Sequence, residues 1–307
     1  MKYGYLGPDG TFTQAALLAW RPAATAEHIT CISINVALHK VRIGELDAAM
    51  VPIENSFEGG VSATLDALGA GGPLRIIGEV LVPITFVLVA PKGCGLEQVQ
   101  AVGTHPHAWA QVRDWMAEHL PTVLYIPTLS TAAAAGDLRE AASAGQLSLY
   151  EAAVCAPIAA HGLQVLADDI GDREFAVTRF VLVARLDWLP MPTGADKTTI
   201  VLFQHSDYAG GLLELLEHFV AHDINMTRLE SRPTGVAMGD YCFSIDFEGH
   251  VWDERVGEAL MGLHRVAAEI RFLGSYPRAD GRRASTPGSS TNESFSAARE
   301  WLQEMRC

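Results

Sequence analysis

The chain has 307 residues, of which 49% are hydrophobic, and a formal net charge of −14 at pH 7. This length is sufficient for two or three packed units with a substantial apolar core. The acidic balance argues against nucleic-acid binding, which depends on clustered Lys and Arg, although a local Arg can still bind an anion.

Short β-like runs alternate with helical patterns over the first part of the chain. We predict helices at 13–20, 108–119 and 131–142, and strands at 2–6, 46–53, 74–90 (interrupted at Pro83), 101–104 and 123–126. This alternation predicts an α/β architecture with parallel sheets, in which functional loops lie at the carboxyl ends of the strands.

The order of elements changes after a predicted linker at 187–196, which contains Pro190, Pro192 and Gly194. A strand, a helix, two strands, a helix and a strand are expected at 198–204, 211–222, 224–232, 241–248, 253–268 and 270–275. This βαββαβ order is typical of the ferredoxin-like fold. The polar tract 282–291 is predicted to be disordered, and a short helix is expected at 294–305.

The location of the protein is predicted from what the sequence lacks. No apolar run reaches membrane-spanning length, and the first residues do not show the pattern of a secretory signal. The five cysteines are scattered, and none has CxxC or metal-binding spacing. We therefore expect a cytoplasmic protein with reduced thiols and no membrane segment.

Two polar strings follow predicted strands in the first half. Thr11 and Phe12 belong to GPDGTFT (7–13), where the helix amides could hold a carboxylate, although a turn with a helix cap is favoured for this string alone. Glu54, Asn55 and Ser56 belong to PIENSFEGGV (52–61) and offer donors and acceptors for an oxygen-rich ligand. Capping of the next helix is an equally good interpretation of this second string.

Two further strings begin predicted helices. His105 precedes Pro106, and it could bind a carboxylate, although a histidine at a helix entry is the commoner case. Ser130 and Thr131 begin STAAA (130–134), where a hydroxyl and free amides could bind an anion or simply cap the helix. Each signal is weak alone, but all lie at strand ends and together indicate one cleft.

Thr178 and Arg179 stand at the head of an apolar run (175–184) that is typical of a buried strand. A buried guanidinium needs an anionic partner. The pair therefore marks either an internal ion pair or a pocket for an anionic small molecule, and the sequence leaves both open.

Patterns for cofactors are absent from the sequence. There is no GxGxxG or Walker loop. His218 and His222 have helical spacing but lack an HExxH glutamate and a third ligand. We expect no cofactor and no metal.

Taken in order, GPDGTFT, VPIENSFEGGV, THP, STAAA and VTRF resemble the prephenate dehydratase family. The segment NMTRLESRP (225–233) resembles the effector-site signature of its ACT regulatory domain. The resemblance implies a catalytic region at 1–188 with two lobes like a periplasmic binding protein, 1–80 plus 175–188 and 81–174, with the site between them. It also implies an ACT domain at 197–276, followed by a partly disordered tail at 277–307.

The resemblance implies that prephenate is dehydrated and decarboxylated to phenylpyruvate in phenylalanine biosynthesis, which needs no cofactor. Thr178 would assist departure of the ring hydroxyl, Arg179 would orient a substrate carboxylate, and Phe180 would shape an apolar wall. The implied substrate-binding residues are Thr11, Phe12, Glu54, Asn55, Ser56, His105, Ser130 and Thr131.

The resemblance also implies feedback regulation by L-phenylalanine, bound where ACT domains meet in a homodimer or homotetramer. One domain would contribute Asp207, Ala209, Gly210, Gly211 and Leu212, and its neighbour Asn225, Met226, Thr227, Glu230, Ser231, Arg232 and Pro233. Two positions depart from the family pattern. Ala209 stands where relatives often have Pro, which frees the effector loop, and Ala176 stands where many have Asn.

Two other functions compete with this interpretation. Arogenate or cyclohexadienyl dehydratase activity would need an acidic partner for the substrate ammonium, which Glu54 or Glu58 could supply. A non-enzymatic amino-acid sensor would combine binding-protein lobes with an ACT module, but the sequence shows no recognisable output domain. Alkaline detection of phenylpyruvate separates an enzyme from a sensor.

Overall fold

The computed structural model describes residues 1–57, 59–234 and 241–306. Glu58, which was named above as an acidic partner for arogenate, lies outside these residues. The strands are β1 Lys2–Leu6, β2 Glu27–Cys31, β3 Ala48–Asn55, β4 Gly59–Gly60, β5 Arg75–Pro83, β6 Val87–Ala90, β7 Ala101–Thr104, β8 Leu124–Pro127, β9 Ala152–Cys155, β10 Gln164–Ala167, β11 Val177–Ala184, β12 Asp196–Phe203, β13 Met226–Pro233, β14 Tyr241–Glu248 and β15 Glu269–Pro277.

The α-helices are α1 Phe12–Ala19, α2 Ile34–Arg42, α3 Ser62–Gly69, α4 Pro106–Trp109, α5 Arg113–His119, α6 Thr131–Ala144, α7 Gly211–Val220, α8 Glu254–Val266 and α9 Asn292–Arg306. Short 3₁₀ helices cover Arg21–Thr25, Leu96–Gln98, Pro157–Ala160 and Gly288–Ser290. In the described part of the chain, none of these helices combines the length and apolar character needed to cross a bilayer.

The contacts of the chain divide it into two compact units, each made of several segments. Unit 1 comprises Met1–Lys40, Ala49–Val61 and Val80–Phe180, and unit 2 comprises Val41–Ala48, Ser62–Glu79 and Val181–Cys307. Strands β3, β5 and β11 each run from one unit into the other. The domain boundaries expected from the sequence remain a prediction, because they separate functional regions rather than packed units.

The strands form three sheets, and the mixed α/β architecture predicted from the sequence is confirmed. The first sheet has the order β2-β1-β3-β11-β5, with β4 paired to β3. The second has the order β10-β6-β9-β7-β8. Its strands β7, β8 and β9 are parallel, whereas β6 runs antiparallel to β9 and β10. The expectation of parallel sheets was wrong here, because β6 pairs with β9 and β10, which come much later in the chain, so long-range pairing and not a local connection sets its direction.

The third sheet, in unit 2, has the order β13-β14-β12-β15, and its pairings are antiparallel. Two helices, α7 and α8, pack on it around a core that includes Ile200, Phe219, Ile245, Phe247 and Leu263. Since β12, α7, β13, β14, α8 and β15 follow one another along the chain, the predicted βαββαβ order is confirmed. Within the polar tract that was expected to be disordered, Ser290 is buried and its hydroxyl bonds Asp223.

Candidate active site

A cavity of about 360 Å³ in unit 1 gathers most of the candidate residues from distant parts of the sequence. Its walls include residues of both predicted lobes, which is the expected result if the polar strings form one site. Eight of the eleven residues expected at the site line it: Thr11, Phe12, Asn55, His105, Ser130, Thr131, Thr178 and Phe180.

Several of these residues cap helices as well as lining the cavity. The Thr11 hydroxyl accepts a bond from Gln14 N and donates to Leu6 O, at 3.3 and 2.8 Å, which fixes the start of α1. The Ser130 hydroxyl accepts from Ala133 N at 2.9 Å and starts α6. The two interpretations of these strings are therefore compatible, since the first amides of a helix carry partial positive charge that favours an anion.

A hydrogen-bonded network supports the loop that carries Thr11. The Tyr5 hydroxyl donates to Asp9, Gln14 Nε2 donates to Tyr5 Oη at 3.3 Å, and Gly10 N donates to Gln14 Oε1 at 2.6 Å. Burial and the bond to Asp9 raise the pKa of the Tyr5 phenol. Gly10 has φ +90°, and a Cβ there would lie 2.8 Å from Ala159 Cβ. This position therefore requires glycine.

Thr178 and Asn55 form the best-defined polar pair of the cavity. Asn55 Nδ2 donates to Thr178 Oγ1 at 2.9 Å, and Asn55 Oδ1 accepts from Phe57 N at 2.8 Å. Because the amide oxygen is used by a backbone N–H, the amide nitrogen is the group that faces Thr178. The Thr178 hydroxyl accepts this bond and keeps its own proton to donate elsewhere.

Arg179 lies outside the lining of this cavity. Side chains alternate along a strand, so Thr178 and Phe180 face the cavity while Arg179, between them on β11, faces away. Its Nη1 lies 3.2 Å from Glu54 Oε2, and Arg179 is only 6% exposed. Of the two alternatives drawn from the sequence, this contact is that of an internal ion pair, and the role of Arg179 towards a substrate carboxylate stays a prediction.

Glu54 and Ser56 also lie outside the lining, and both connect β3 to β11. Ser56 N donates to Val177 O at 2.9 Å, and Val177 N donates to Ser56 Oγ at 3.1 Å. Together with the ion pair of Glu54 and Arg179, these bonds hold the segment around Asn55 against the strand that carries Thr178.

The remaining walls include Phe86, His107 and Gln111, which were not identified from the sequence. Phe12 and Phe86 pack edge to face with ring centroids 5.7 Å apart, and both line the cavity. His107 and Gln111 lie one helical turn apart, and Gln111 Nε2 donates to His107 O at 3.0 Å. The one sequence signal for these two side chains was their position shortly after His105, at the start of a predicted helix. The other lining residues are Leu6, Thr13, Pro52, Ile84, Ala108 and Leu129.

A second cavity, of about 550 Å³, lies in unit 2. It is lined by four of the expected regulatory residues, Asp207, Gly210, Leu212 and Ser231, and also by Gln204, Tyr208, Leu213, Leu216, Tyr241 and Phe243. The eight that do not line it are Ala209, Gly211, Asn225, Met226, Thr227, Glu230, Arg232 and Pro233.

Four of the eight have side-chain partners within unit 2. The Thr227 hydroxyl donates to Asp246 O at 3.3 Å, and Glu230 Oε1 lies 3.8 Å from Arg228 Nη1. Met226 packs against the core of the βαββαβ sheet. Arg232 forms a forked ion pair with Asp66 of α3. The structure brings no group of three His, Cys, Asp or Glu side chains into a metal-binding arrangement within residues 1–57, 59–234 and 241–306.

Comparison with known proteins gives consistent matches. The model of one family, described as prephenate dehydratase, matches residues 3–187. A prephenate dehydratase from Amycolatopsis methanolica is 43% identical over 304 residues, 98% of this chain and 96% of the relative. The solved prephenate dehydratase from Arthrobacter aurescens, in complex with L-Phe, is 52% identical, covers 99% of both chains and has a TM-score of 0.92. A solved structure described as a novel type of quorum quenching acylase (GqqA) is 28% identical, with a TM-score of 0.81, over 92% of this chain and 100% of that chain.

Proposed function

This chain belongs to the prephenate dehydratase family, and from that membership we propose that the cavity of unit 1 converts prephenate to phenylpyruvate. The observation that carries the proposal is the bond from Asn55 Nδ2 to Thr178 Oγ1, which leaves the Thr178 proton available to a ligand. The catalytic region would be 1–188, divided into the two lobes predicted from the sequence. Free thiols at Cys31, Cys94, Cys155 and Cys242 support the proposed cytoplasmic location.

The reaction needs positioning of charge and help for a leaving group. Prephenate is a dianion with a cyclohexadienol ring. Cleavage of the bond to the ring carboxylate releases CO₂, its electron pair aromatises the ring, and the ring C–O bond breaks so that hydroxide leaves. Thr178 donates a hydrogen bond to the departing oxygen, on which negative charge develops. A threonine hydroxyl is a weak acid, so hydrogen bonding rather than full proton transfer is its proposed role.

The other lining groups have simpler roles in this proposal. Phe12, Phe86 and Phe180 hold the ring by apolar contact. The hydroxyls of Thr11, Ser130 and Thr131, with the first amides of α1 and α6, bind the carboxylates. His105 supplies a further hydrogen bond to a carboxylate.

Arg179 acts indirectly in this proposal. Its ion pair with Glu54 and the bonds of Ser56 to β11 keep Asn55 at hydrogen-bond distance from Thr178. The same ion pair affects the choice between prephenate and arogenate as substrate. The Glu54 carboxylate pairs with the Arg179 guanidinium and does not line the cavity, where it would have to bind the ammonium group of arogenate. This observation favours prephenate over arogenate, and competition between the two substrates on purified enzyme measures the preference.

The test of the activity is the Thr178→Val variant, which replaces the hydroxyl by a methyl group of similar size. Loss of one preorganised donor lowers kcat by about 100-fold or more. Thr178→Ser keeps the hydroxyl and is the matched control. Turnover is followed by the absorbance of phenylpyruvate in alkali, and circular dichroism checks the fold. Near-wild-type turnover in Thr178→Val would exclude the proposed role, and absence of product from the wild-type protein would favour a sensor or a different activity, such as an acylase.

The proposed regulation uses the cavity of unit 2, in an ACT domain at 197–276. Leu212, Leu216 and Phe243 would hold the phenyl ring of L-phenylalanine, and Asp207 would bind its ammonium group. The segment 225–233 of a second copy would complete the site, which makes a homodimer or homotetramer the proposed assembly. Calorimetry with L-phenylalanine tests binding, and sedimentation tests assembly. The tail at 277–307 has no role in this proposal.

A further inference from the structure

Helix α3 and the turn after it are held by three arginine side chains of unit 2, those of Arg42, Arg232 and Arg271. Arg42 of α2 donates from Nη2 to Ala67 O of α3 at 2.5 Å. It also donates to two carbonyls just after the helix, from Nε to Gly72 O at 2.8 Å and from Nη2 to Ala70 O at 3.1 Å. Arg271 of β15 donates to Gly69 O. Arg232 of β13 forms the ion pair with Asp66, at 3.0 Å from Nε to Oδ1 and 2.9 Å from Nη2 to Oδ2.

Two of these arginines come from the two edge strands of the βαββαβ sheet, and each adjoins the second cavity. Arg232 directly follows Ser231, which lines that cavity. The Arg271 guanidinium lies 4.9 Å from the ring centroid of Phe203, and Phe203 directly precedes the lining residue Gln204. Each arginine is therefore linked to a lining residue, Arg232 through one peptide bond to Ser231 and Arg271 through the Phe203 ring to Gln204.

The residues just before α3 contact the strand that carries Asn55, which with Thr178 forms the catalytic pair. Ser62 follows β4, whose Gly59 and Gly60 pair with Asn55 and Glu54 of β3. Val61 N donates to Ile53 O at 2.9 Å. The segment that enters α3 is thus paired with Ile53, Glu54 and Asn55, and the Asn55 amide donates to the Thr178 hydroxyl.

We propose that α3 couples the second cavity to the catalytic pair, and that Asp66 and Arg271 are positioning residues for this regulation. The inference rests on the proposed function, since it assumes that phenylalanine occupies the second cavity. A bound effector shifts the two arginines, α3 follows them, and the Asn55–Thr178 geometry changes. An exposed ion pair contributes little to stability, and the Asp66 side chain is 54% exposed. Loss of the pair should therefore alter coupling while leaving the fold intact.

The test separates effector binding from its effect on turnover. In the Asp66→Asn variant, calorimetry should give a Kd for L-phenylalanine within about threefold of wild type, and basal kcat should stay within about twofold. The ratio of turnover without and with saturating L-phenylalanine should fall from its wild-type value towards 1. Glu254→Gln is the matched control, because it breaks the exposed pair with Arg299 and does not touch α3.

Arg271→Met is the second variant and should also lower the ratio while binding persists. Unchanged ratios in both variants, with L-phenylalanine still bound, would overturn the role of α3 and leave the proposed regulation intact. Failure of the wild-type protein to bind L-phenylalanine would overturn both the regulation and this inference. Equal loss of the ratio in Glu254→Gln would assign the effect to general loosening of unit 2 and also reject the role of α3.

Discussion

At the scale of single residues, the orientation of one side-chain amide decides what Thr178 can do. Asn55 Oδ1 accepts a bond from Phe57 N, so its Nδ2 donates to Thr178 and the hydroxyl proton stays available. If the amide were reversed, Thr178 would donate to Asn55 and offer a ligand only lone pairs. The chemistry of the cavity therefore depends on a backbone N–H two residues beyond Asn55.

This dependence can be tested with Asn55→Asp. The carboxylate has no donor, so the Thr178 hydroxyl would donate to it and lose its role towards the leaving oxygen. We expect kcat for prephenate to fall by about 100-fold, the typical effect of removing one such donor. Asn292→Asp, at an exposed asparagine at the start of α9, is the control and should leave kcat unchanged. An active Asn55→Asp enzyme would contradict the proposed direction of the bond.

At the scale of elements, a single glycine allows β15 to lie close to β5. Gly274 has φ +132°, and a Cβ built there would lie 2.3 Å from Ile76 O. The pairing register of β12 and β15 also shifts at this point. An irregularity of this kind with glycine is typical of a place where another backbone approaches.

Gly274→Ala should therefore destabilise the protein. The positive φ costs about 1–2 kcal/mol for alanine, and the overlap with Ile76 adds about 1–3 kcal/mol. Urea denaturation should show a loss of about 2–5 kcal/mol in the free energy of unfolding. Gly257→Ala, inside α8 with open space around it, should instead raise that free energy by about 0.5–1 kcal/mol. Similar stabilities for the two variants would contradict this account.

Some elements of the fold could be predicted from the sequence, and others could not. The βαββαβ order was predictable because apolar periodicity and turn residues are local signals. The direction of β6 was not, since it depends on pairing with β9 and β10, which lie far away in the sequence. In the cavity, Thr178 and Asn55 were recognisable from their motifs. The ion pair of Arg179 with Glu54 was not recognisable, because the two residues are 125 positions apart in the sequence. The alternation of side chains along β11 directs the Arg179 side chain away from the cavity.

At the scale of the whole molecule, the two cavities belong to different packed units and are proposed to bind different molecules. An effector that binds only the folded protein must also stabilise it. L-phenylalanine at 100 times its Kd should raise the free energy of unfolding by about 2.7 kcal/mol, measured by denaturation at fixed protein concentration. D-phenylalanine at the same concentration is the control for stereospecific binding. No stabilisation by the L-isomer at millimolar concentration would contradict the proposed effector site.

The arginine contacts of α3 also have a consequence for the order of events during synthesis. Arg42 is already made when α3 emerges, but Arg232 follows Asp66 by 166 residues and Arg271 follows Gly69 by 202. At about 5–20 residues per second, the ribosome needs roughly 8 to 33 s to reach Arg232. An eight-residue helix is marginal alone, so α3 waits for late-made partners. The segment next to Asn55 would then be among the last parts of the nascent chain to become fixed.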